Sequence, residues 1–207
     1  MTRAIPHVNI CGYPGAGKTT VAILLWQRYR TTVIRQYTTR VLRAGESETI
    51  LKEYNWITNE EYKNLYNEGK LLKWDSANSH KVNPDGSEYF RGIPASEFWV
   101  KPKPDTQLIL SMFSTRAAPE IKQKISPEMI NICLVADDLI LKERILSRFG
   151  RDYVGGHSDT IAKYRGINIE GSANFEPNHV IDTGELDAEQ VAEKIAYLAG
   201  LLTLTLP

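Results

Sequence analysis

One stretch of eight residues constrains this chain more than any other. Gly12-Tyr13-Pro14-Gly15-Ala16-Gly17-Lys18-Thr19 fits G-x-x-x-x-G-K-[ST] in full. The apolar, β-rich run His7–Gly12 (HVNICG) precedes it, and Lys18–Tyr29 (KTTVAILLWQRY) follows with helical content and length. Thr31–Tyr37 (TTVIRQY) is β-branched and reads as the next strand. Strand, glycine turn, helix and strand make a βαβ opening, which commits the chain to parallel pairing. The glycines allow successive N–H groups to point inward at phosphate oxygens, and the helix N-terminus adds partial positive charge. Gly12, Gly15, Ala16, Gly17, Lys18, Thr19 and Thr20 are therefore the candidate residues for binding a nucleoside triphosphate, with ATP the expected one. Lys18 is expected to reach the β/γ-phosphates, and the Thr19 hydroxyl to help hold Mg²⁺.

The rest of the chain continues the rhythm. Gln107–Ser114, Met129–Ala136 and Asn178–Asp182 read as buried strands. Asp138–Phe149 reads as a helix with Asp137 as its N-cap, and Asp187–Leu202 as the last helix, with Val191, Ile195, Leu198 and Leu202 on one face. Strands alternating with helices predict an α/β fold of three layers, α/β/α, around a mostly parallel central sheet. Residues 41–100 break the alternation. Thr49–Trp56, Leu71–Asp75 and Ser87–Arg91 look like strands, around a short helix capped by Thr58 with Glu61 three residues on. The expectation is a core of 1–40 and 101–207 with a small mixed α/β lobe inserted at 41–100.

Composition narrows the function classes. The 207 residues carry 25 Lys+Arg against 25 Asp+Glu, so bulk electrostatic binding of nucleic acid or of an anionic membrane is not expected. No apolar run approaches the ~20 residues that span a bilayer. The N-terminus MTRAIPHVNICGYPG lacks a signal pattern, which predicts a cytoplasmic protein, a monomer or homodimer. Cys11 and Cys133 each lie in a strand-like run and read as reduced core thiols, a disulfide being the poorer reading.

Beyond the phosphate loop the chain resembles the guanylate kinase family. Tyr37-Thr38-Thr39-Arg40-Val41-Leu42-Arg43-Ala44-Gly45-Glu46 is similar to its TTRxxRxGE segment, and Tyr54-Asn55-Trp56 to its Y-x-F strand. Glu60–Trp74 resembles its helix and the strand that ends in E-W. Tyr89-Phe90-Arg91-Gly92 echoes its YYG, and Arg144–Gly150 its RLxxRG at the start of a mobile lid. The resemblance covers most of the chain in the right order. It implies transfer of the γ-phosphate of Mg·ATP to a nucleoside monophosphate, with the inserted lobe binding the acceptor. Arg40, Arg43 and Tyr54, with Tyr89, would bind the acceptor's phosphate, and Arg144, Arg148 and Arg165 would swing over the transferring group. Guanidinium groups suit both tasks, since they stay charged and grip phosphate oxygens in pairs. The lid would occupy about 148–160, with Gly155-Gly156 as a hinge.

The departures from the family cluster at the base-reading positions. Lys73 stands where the family has the glutamate of E-W, Gln36 where it has a serine, and Ser111-Met112-Phe113 where it has D-x-D. A lysine has donors only and cannot accept from guanine N1–H and N2–H₂. Three readings stay open. The acceptor carries another base; or Asp75, on the same strand face as Lys73, replaces the carboxylate; or acceptor binding is lost. Rival functions are a P-loop kinase of another small molecule, suggested by Ile181-Asp182-Thr183, and a non-catalytic nucleotide-binding interaction module.

Overall fold

A computed structural model of the chain describes residues 4–41, 54–72, 89–99, 102–115, 117–149 and 175–202. Two compact units divide the chain, one made of Met1–Thr31 with Thr106–Pro207, the other of Thr32–Asp105.

The first unit holds most of a five-stranded sheet of order β2-β6-β1-β7-β8. Its strands are β1 (His7–Gly12), β2 (Thr31–Val33), β6 (Leu108–Ser111), β7 (Ile130–Val135) and β8 (His179–Asp182). β1 pairs in parallel with β6 and β7, and β7 in parallel with β8. Four helices of this unit are α1 (Lys18–Arg28), α4 (Ala117–Lys124), α5 (Asp138–Phe149) and α6 (Ala188–Leu198). The alternation expected from the sequence is therefore present, with a mostly parallel sheet and flanking helices.

The register sorts the side chains of this sheet by chemistry. Val8 and Ile10 share a face with Leu108, Leu110, Ile132, Leu134 and Ile181, and all seven are essentially inaccessible to solvent. At ~1.5–3 kcal/mol for each large aliphatic side chain, this face is the main source of cohesion in the sheet. The opposite face carries His7, Asn9, Ser111 and Asn131, also buried. These four satisfy one another. His7 Nε2 lies 3.0 Å from Ser111 Oγ, and Ser111 Oγ donates to Asn9 Oδ1 at 3.3 Å. Asn9 Nδ2 donates to Asn131 Oδ1 at 3.0 Å, and the Phe113 N–H donates to Asn9 Oδ1 at 2.7 Å. The ladder ends on Ser126, just after α4, whose Oγ is 2.9 Å from His7 Nδ1.

Local signals set the helix ends. Asp187 caps α6 through a capping box with Gln190, and Gly200, at φ 67, closes it. The helix thus stops before Leu202, which the periodicity had included. Asp137 Oδ1 accepts from Leu139 N–H at 2.8 Å at the start of α5, as its side chain predicts.

The second unit contains a three-stranded sheet of order β4-β3-β5. Here β3 is Gln36–Thr38, β4 Tyr54–Trp56 and β5 Arg91–Gly92. Helices α2 (Asn59–Asn67) and α3 (Ser96–Trp99) belong to the same unit. Thr58 and Glu61 form the expected capping box on α2. The single strand expected at Thr31–Tyr37 is instead two, β2 and β3, in different sheets. Propensity fixed an extended backbone there, but the choice of partner strand is a tertiary matter. Of the other strands expected in this lobe, 49–53, 73–75 and 87–88 lie outside the described residues, and Leu71 forms an isolated bridge with Pro94.

Burial holds the His7 imidazole well below its usual range, at about 4 against 6.5. Between those values only the unfolded chain takes up the proton. Stability is therefore unaffected above pH 6.5, falls as the pH drops toward 4, and levels off below. The slope is ~1.4 kcal/mol per pH unit while the folded ring stays neutral. Urea unfolding at pH 7 and pH 5 is expected to differ by roughly 2 kcal/mol in wild type. His7→Gln should remove most of that difference. An unchanged difference in the variant would assign it to other groups.

Candidate functional site

The phosphate loop is built from three glycines with positive φ, each for its own reason. Gly12 has φ 140, and a Cβ there would stand 2.2 Å from the Leu134 carbonyl oxygen of β7. Gly15 has φ 83, and its Cβ would meet the Leu141 carbonyl oxygen of α5 at 3.0 Å. Gly17 has φ 83 with open space around it, so conformation alone demands glycine there. Gly17 is also the N-cap of α1, where no side chain accepts from the first-turn N–H groups. Those donors and the positive end of the helix are left for an anion. Ala16 is fully buried beneath the loop, and its N–H donates to Tyr13 O at 3.2 Å.

Lys18 Nζ donates to Gly12 O at 2.9 Å and to Tyr13 O at 2.8 Å. The ammonium is thereby held against the carbonyls of its own loop, without a carboxylate in those two bonds. Thr19 is half-buried in the first turn of α1, and Thr20 is exposed. The donor set fits a polyphosphate: backbone N–H groups, one ammonium and one hydroxyl. Among the described residues no group of three or more His, Cys, Asp or Glu could hold a metal ion. Thr19 is the residue of the loop whose hydroxyl suits Mg²⁺.

Arg144, on α5, is fastened beside the loop. Its NH2 donates to Thr183 O at 2.6 Å, and its NH1 to Thr183 Oγ1 at 3.0 Å and Gly15 O at 3.4 Å. Thr183 in turn donates its hydroxyl to Val135 O at 3.1 Å. This guanidinium therefore links α5, the phosphate loop and the segment after β8. Ser111 is fully buried and bonded to His7 and Asn9.

In the second unit two of the residues expected to bind the acceptor, Gln36 and Tyr54, share one sheet face. Thr38 is in register with both Trp56 and Arg91, and Gln36 with Tyr54, so alternation puts all five on the same side. The opposite side carries Tyr37 and Gly92. There the Tyr62 ring of α2 packs so tightly that a Cβ on Gly92 would lie 3.1 Å from it. The threonines of the TTR segment staple β3 to the chain before β5. Thr38 Oγ1 donates to Phe90 O at 3.3 Å, and the Phe90 N–H donates to Thr39 Oγ1 at 3.0 Å. Arg40 follows at the end of β3, buried, with its N–H donating to Thr38 Oγ1 and NH1 to Val41 O. Gln36 is buried in the same face.

Arg91 is the residue of this face that the sequence alone did not single out. Its guanidinium lies 5.2 Å from the Tyr54 ring centroid and 5.7 Å from that of Tyr89. Trp56 meets Tyr54 edge to face at 5.9 Å. Among the described residues, the buried Trp56 indole N–H finds no acceptor. The signal for Arg91 was its position two residues after Tyr89, but antiparallel register was needed to bring it over Tyr54. Arg43, Lys73, Asp75, Arg165 and the side chain of Arg148 lie outside the described residues, as does the segment expected to be the lid.

The chain's fold has relatives among solved structures. It is similar to guanylate kinase from Anaplasma phagocytophilum at 18% identity, over 97% of this chain and 88% of that chain, with a TM-score of 0.61. It is also similar to the tunicamycin resistance protein of Deinococcus radiodurans at 20% identity, over 99% of this chain and 100% of that chain. Its TM-score is 0.49. No family model matches the chain. No curated protein matches it in sequence. The first of these likenesses shows the fold alone, an α/β arrangement around a mostly parallel sheet.

The Gly12 contact gives a test of how the loop is built. Gly12→Ala places a methyl group inside the Leu134 carbonyl contact, at a φ that alanine avoids. The expected cost is roughly 3 kcal/mol or more, read as a lowered urea midpoint. A Gly17→Ala variant, strained but unobstructed, should lose less. Equal losses would mean that conformation, not the close approach to β7, sets the requirement at Gly12.

Proposed function

We propose that this protein is a nucleoside monophosphate kinase of guanylate-kinase-like architecture. It would move the γ-phosphoryl group of ATP onto the 5′-phosphate of a nucleoside monophosphate. The observation that carries the reading is the glycine loop from Gly12 to Thr19, with no side-chain cap on the α1 N-terminus and the Lys18 ammonium held on the carbonyls of Gly12 and Tyr13. The acceptor face of the second unit supports it. ATP, bound with Mg²⁺, would supply the transferable group.

The roles of the chain's own residues follow from their chemistry. The N–H groups of Gly15 and of Gly17 to Thr19 would hold the donor's phosphates, the Ala16 N–H being bonded to Tyr13 O, and Lys18 would move from the Gly12 and Tyr13 carbonyls onto β- and γ-oxygens. The Thr19 hydroxyl would hold the metal. An acceptor phosphate oxygen is already ionised, so positioning and charge neutralisation matter more than a general base. Arg40 and Arg43 would grip the acceptor phosphate, with Tyr54 and Tyr89. Arg91, its guanidinium over the rings of Tyr54 and Tyr89, would add a further positive charge to the same face. Arg144, Arg148 and Arg165 are proposed to neutralise the phosphoryl group in flight. For Arg144 this requires release of its bonds to Thr183. Residues 41–100 would form the acceptor lobe and about 148–160 the lid.

The base would be read by Gln36, Lys73 and Asp75. Ser111, taken from the sequence as a fourth base contact, is instead fully buried and bonded to His7 and Asn9. Lys73 supplies donors where guanine needs acceptors, so a base presenting acceptors, such as a pyrimidine carbonyl or adenine N1, is the better partner. A coupled ADP-release assay over all ribo- and deoxynucleoside monophosphates tests the whole reading. Turnover with none of them would sink it.

Donor and acceptor sites should respond separately. Lys18→Ala is expected to lower turnover by on the order of 10²–10³. Arg40→Ala should weaken monophosphate binding by roughly 1.5–3 kcal/mol and barely change MgADP binding. Both are read by titration calorimetry beside the rates. Equal weakening of both ligands in Arg40→Ala would point to a folding defect instead.

Base choice gives a sharper test. GMP is expected to fall behind the best acceptor by on the order of 10²–10⁴ in kcat/KM, since mismatched polar groups in a closed site are costly. Lys73→Glu should shift preference toward GMP. If wild type prefers GMP and Asp75→Asn abolishes that preference, Asp75 is the guanine reader and the role given to Lys73 is wrong.

A further inference from the structure

Cys11 of β1 and Cys133 of β7 are register partners on adjacent parallel strands, so their side chains share a face. Both are free thiols. Cys11 is buried and Cys133 only partly covered. The pair continues the polar ladder toward the nucleotide site. Cys11 directly precedes Gly12, whose carbonyl holds Lys18 Nζ. Cys11 also lies 3.5 Å from the Ile132 carbonyl oxygen.

The two thiols are chemically unequal. A hydrogen bond from Cys11 holds the Cys133 thiol below the ordinary cysteine range, and the Lys18 charge acts the same way against the effect of burial. The same bond, together with burial, pushes the Cys11 thiol up. The partly exposed Cys133 is thus the better nucleophile of the two, and the buried Cys11 the thiol that follows it.

We propose that Cys11 and Cys133 form an oxidation-sensitive dithiol that closes to a disulfide and thereby weakens nucleotide binding at the phosphate loop. The oxidant is a peroxide. The Cys133 thiolate attacks one peroxide oxygen; an S–O bond forms, the O–O bond breaks, and the departing hydroxide leaves as water after taking up a proton. The Cys11 sulfur then attacks the Cys133 sulfenic sulfur. The S–S bond forms, the S–O bond breaks, and hydroxide leaves with the Cys11 proton as a second water. The two thiols lose two electrons, and the peroxide gains them.

Register makes the bond reachable. Neighbouring strands lie ~4.7–4.9 Å apart, within the Cα separation of roughly 4.4–6.8 Å that a disulfide spans. A disulfide wants its Cβ atoms nearer, at about 3.8 Å, so closure draws the two strands together one residue before Gly12. The contact between Gly12 and Leu134 O has no slack to absorb this. The displacement must appear in the loop that begins there.

The proposal rests on the phosphate loop being a nucleotide site, and the experiment separates the two. The full chain is compared reduced and after hydrogen peroxide. Maleimide labelling counts thiols, mass spectrometry of peptides finds the link, and the MgADP-induced thermal shift reports binding. Expected are loss of both labelled thiols, a Cys11–Cys133 linked peptide and loss of the MgADP shift, all restored by dithiothreitol. Cys133→Ser should form no link and keep its MgADP shift in peroxide. Thiols that stay labelled after peroxide, or a link that leaves the MgADP shift intact, would overturn the switch while sparing the nucleotide site. A reduced wild type that MgADP does not stabilise would overturn both.

Discussion

The approach of Gly12 to the Leu134 carbonyl is the contact on which the candidate site depends. Two parallel strands normally keep side chains between their ends and the loops that follow. Here β1 ends flush against β7, so the chain turns at once into the phosphate loop and α1 starts directly beyond it. The loop is held from a second direction at Gly15, where α5 leaves no room for a side chain. Its shape is therefore set by the packing of β7 and α5 as much as by glycine's freedom. Lys18 completes the arrangement by bonding the first two carbonyls of the turn.

The second unit achieves a comparable result with a different device. Its small sheet has one face filled by the Tyr62 ring over Gly92, and this frees the other face for polar and aromatic groups. The two threonine hydroxyls at 38 and 39 bond the backbone of Phe90, fixing how far β3 and β5 overlap. That overlap decides that Arg91 lies over Tyr54 and Tyr89. A guanidinium over ring faces is attracted by their electrons and is itself a flat fork of donors. Planar donors are what a phosphate's paired oxygens require.

Much of this was legible in the residues. The phosphate-loop motif, the strand-helix alternation, the Thr58–Glu61 box and the Asp137 cap are local signals, and the structure repeats them. What could not be read was partnership. Thr31–Tyr37 is uniformly strand-like, yet its halves belong to different sheets, because β-propensity does not name a neighbour. Leu202 fits the α6 periodicity, but Gly200 ends the helix first. Arg91 gained meaning only through cross-strand register. The likeness to guanylate kinase was carried by short motifs in the right order, and what the structure shares with that family is the fold. The roles of individual site residues remain proposals of chemistry.

The buried ladder from Ser126 through His7, Ser111 and Asn9 to Asn131 carries a consequence for how the chain finds its structure. Aliphatic side chains are poor at telling one alignment of two strands from another, because a neighbouring valine or leucine makes a tolerable substitute. Hydrogen-bonding groups are strict, since a slip strands several of them at once inside a dry interior. The hydrophobic face of the central sheet thus supplies the drive to associate, and the polar face acts as a key that accepts one alignment. That alignment is also the one that sets Gly12 opposite Leu134. A mispaired sheet would keep much of its oily contact but could not form the glycine loop, so in this chain the selection of the native strand pairing and the assembly of the candidate site are a single event.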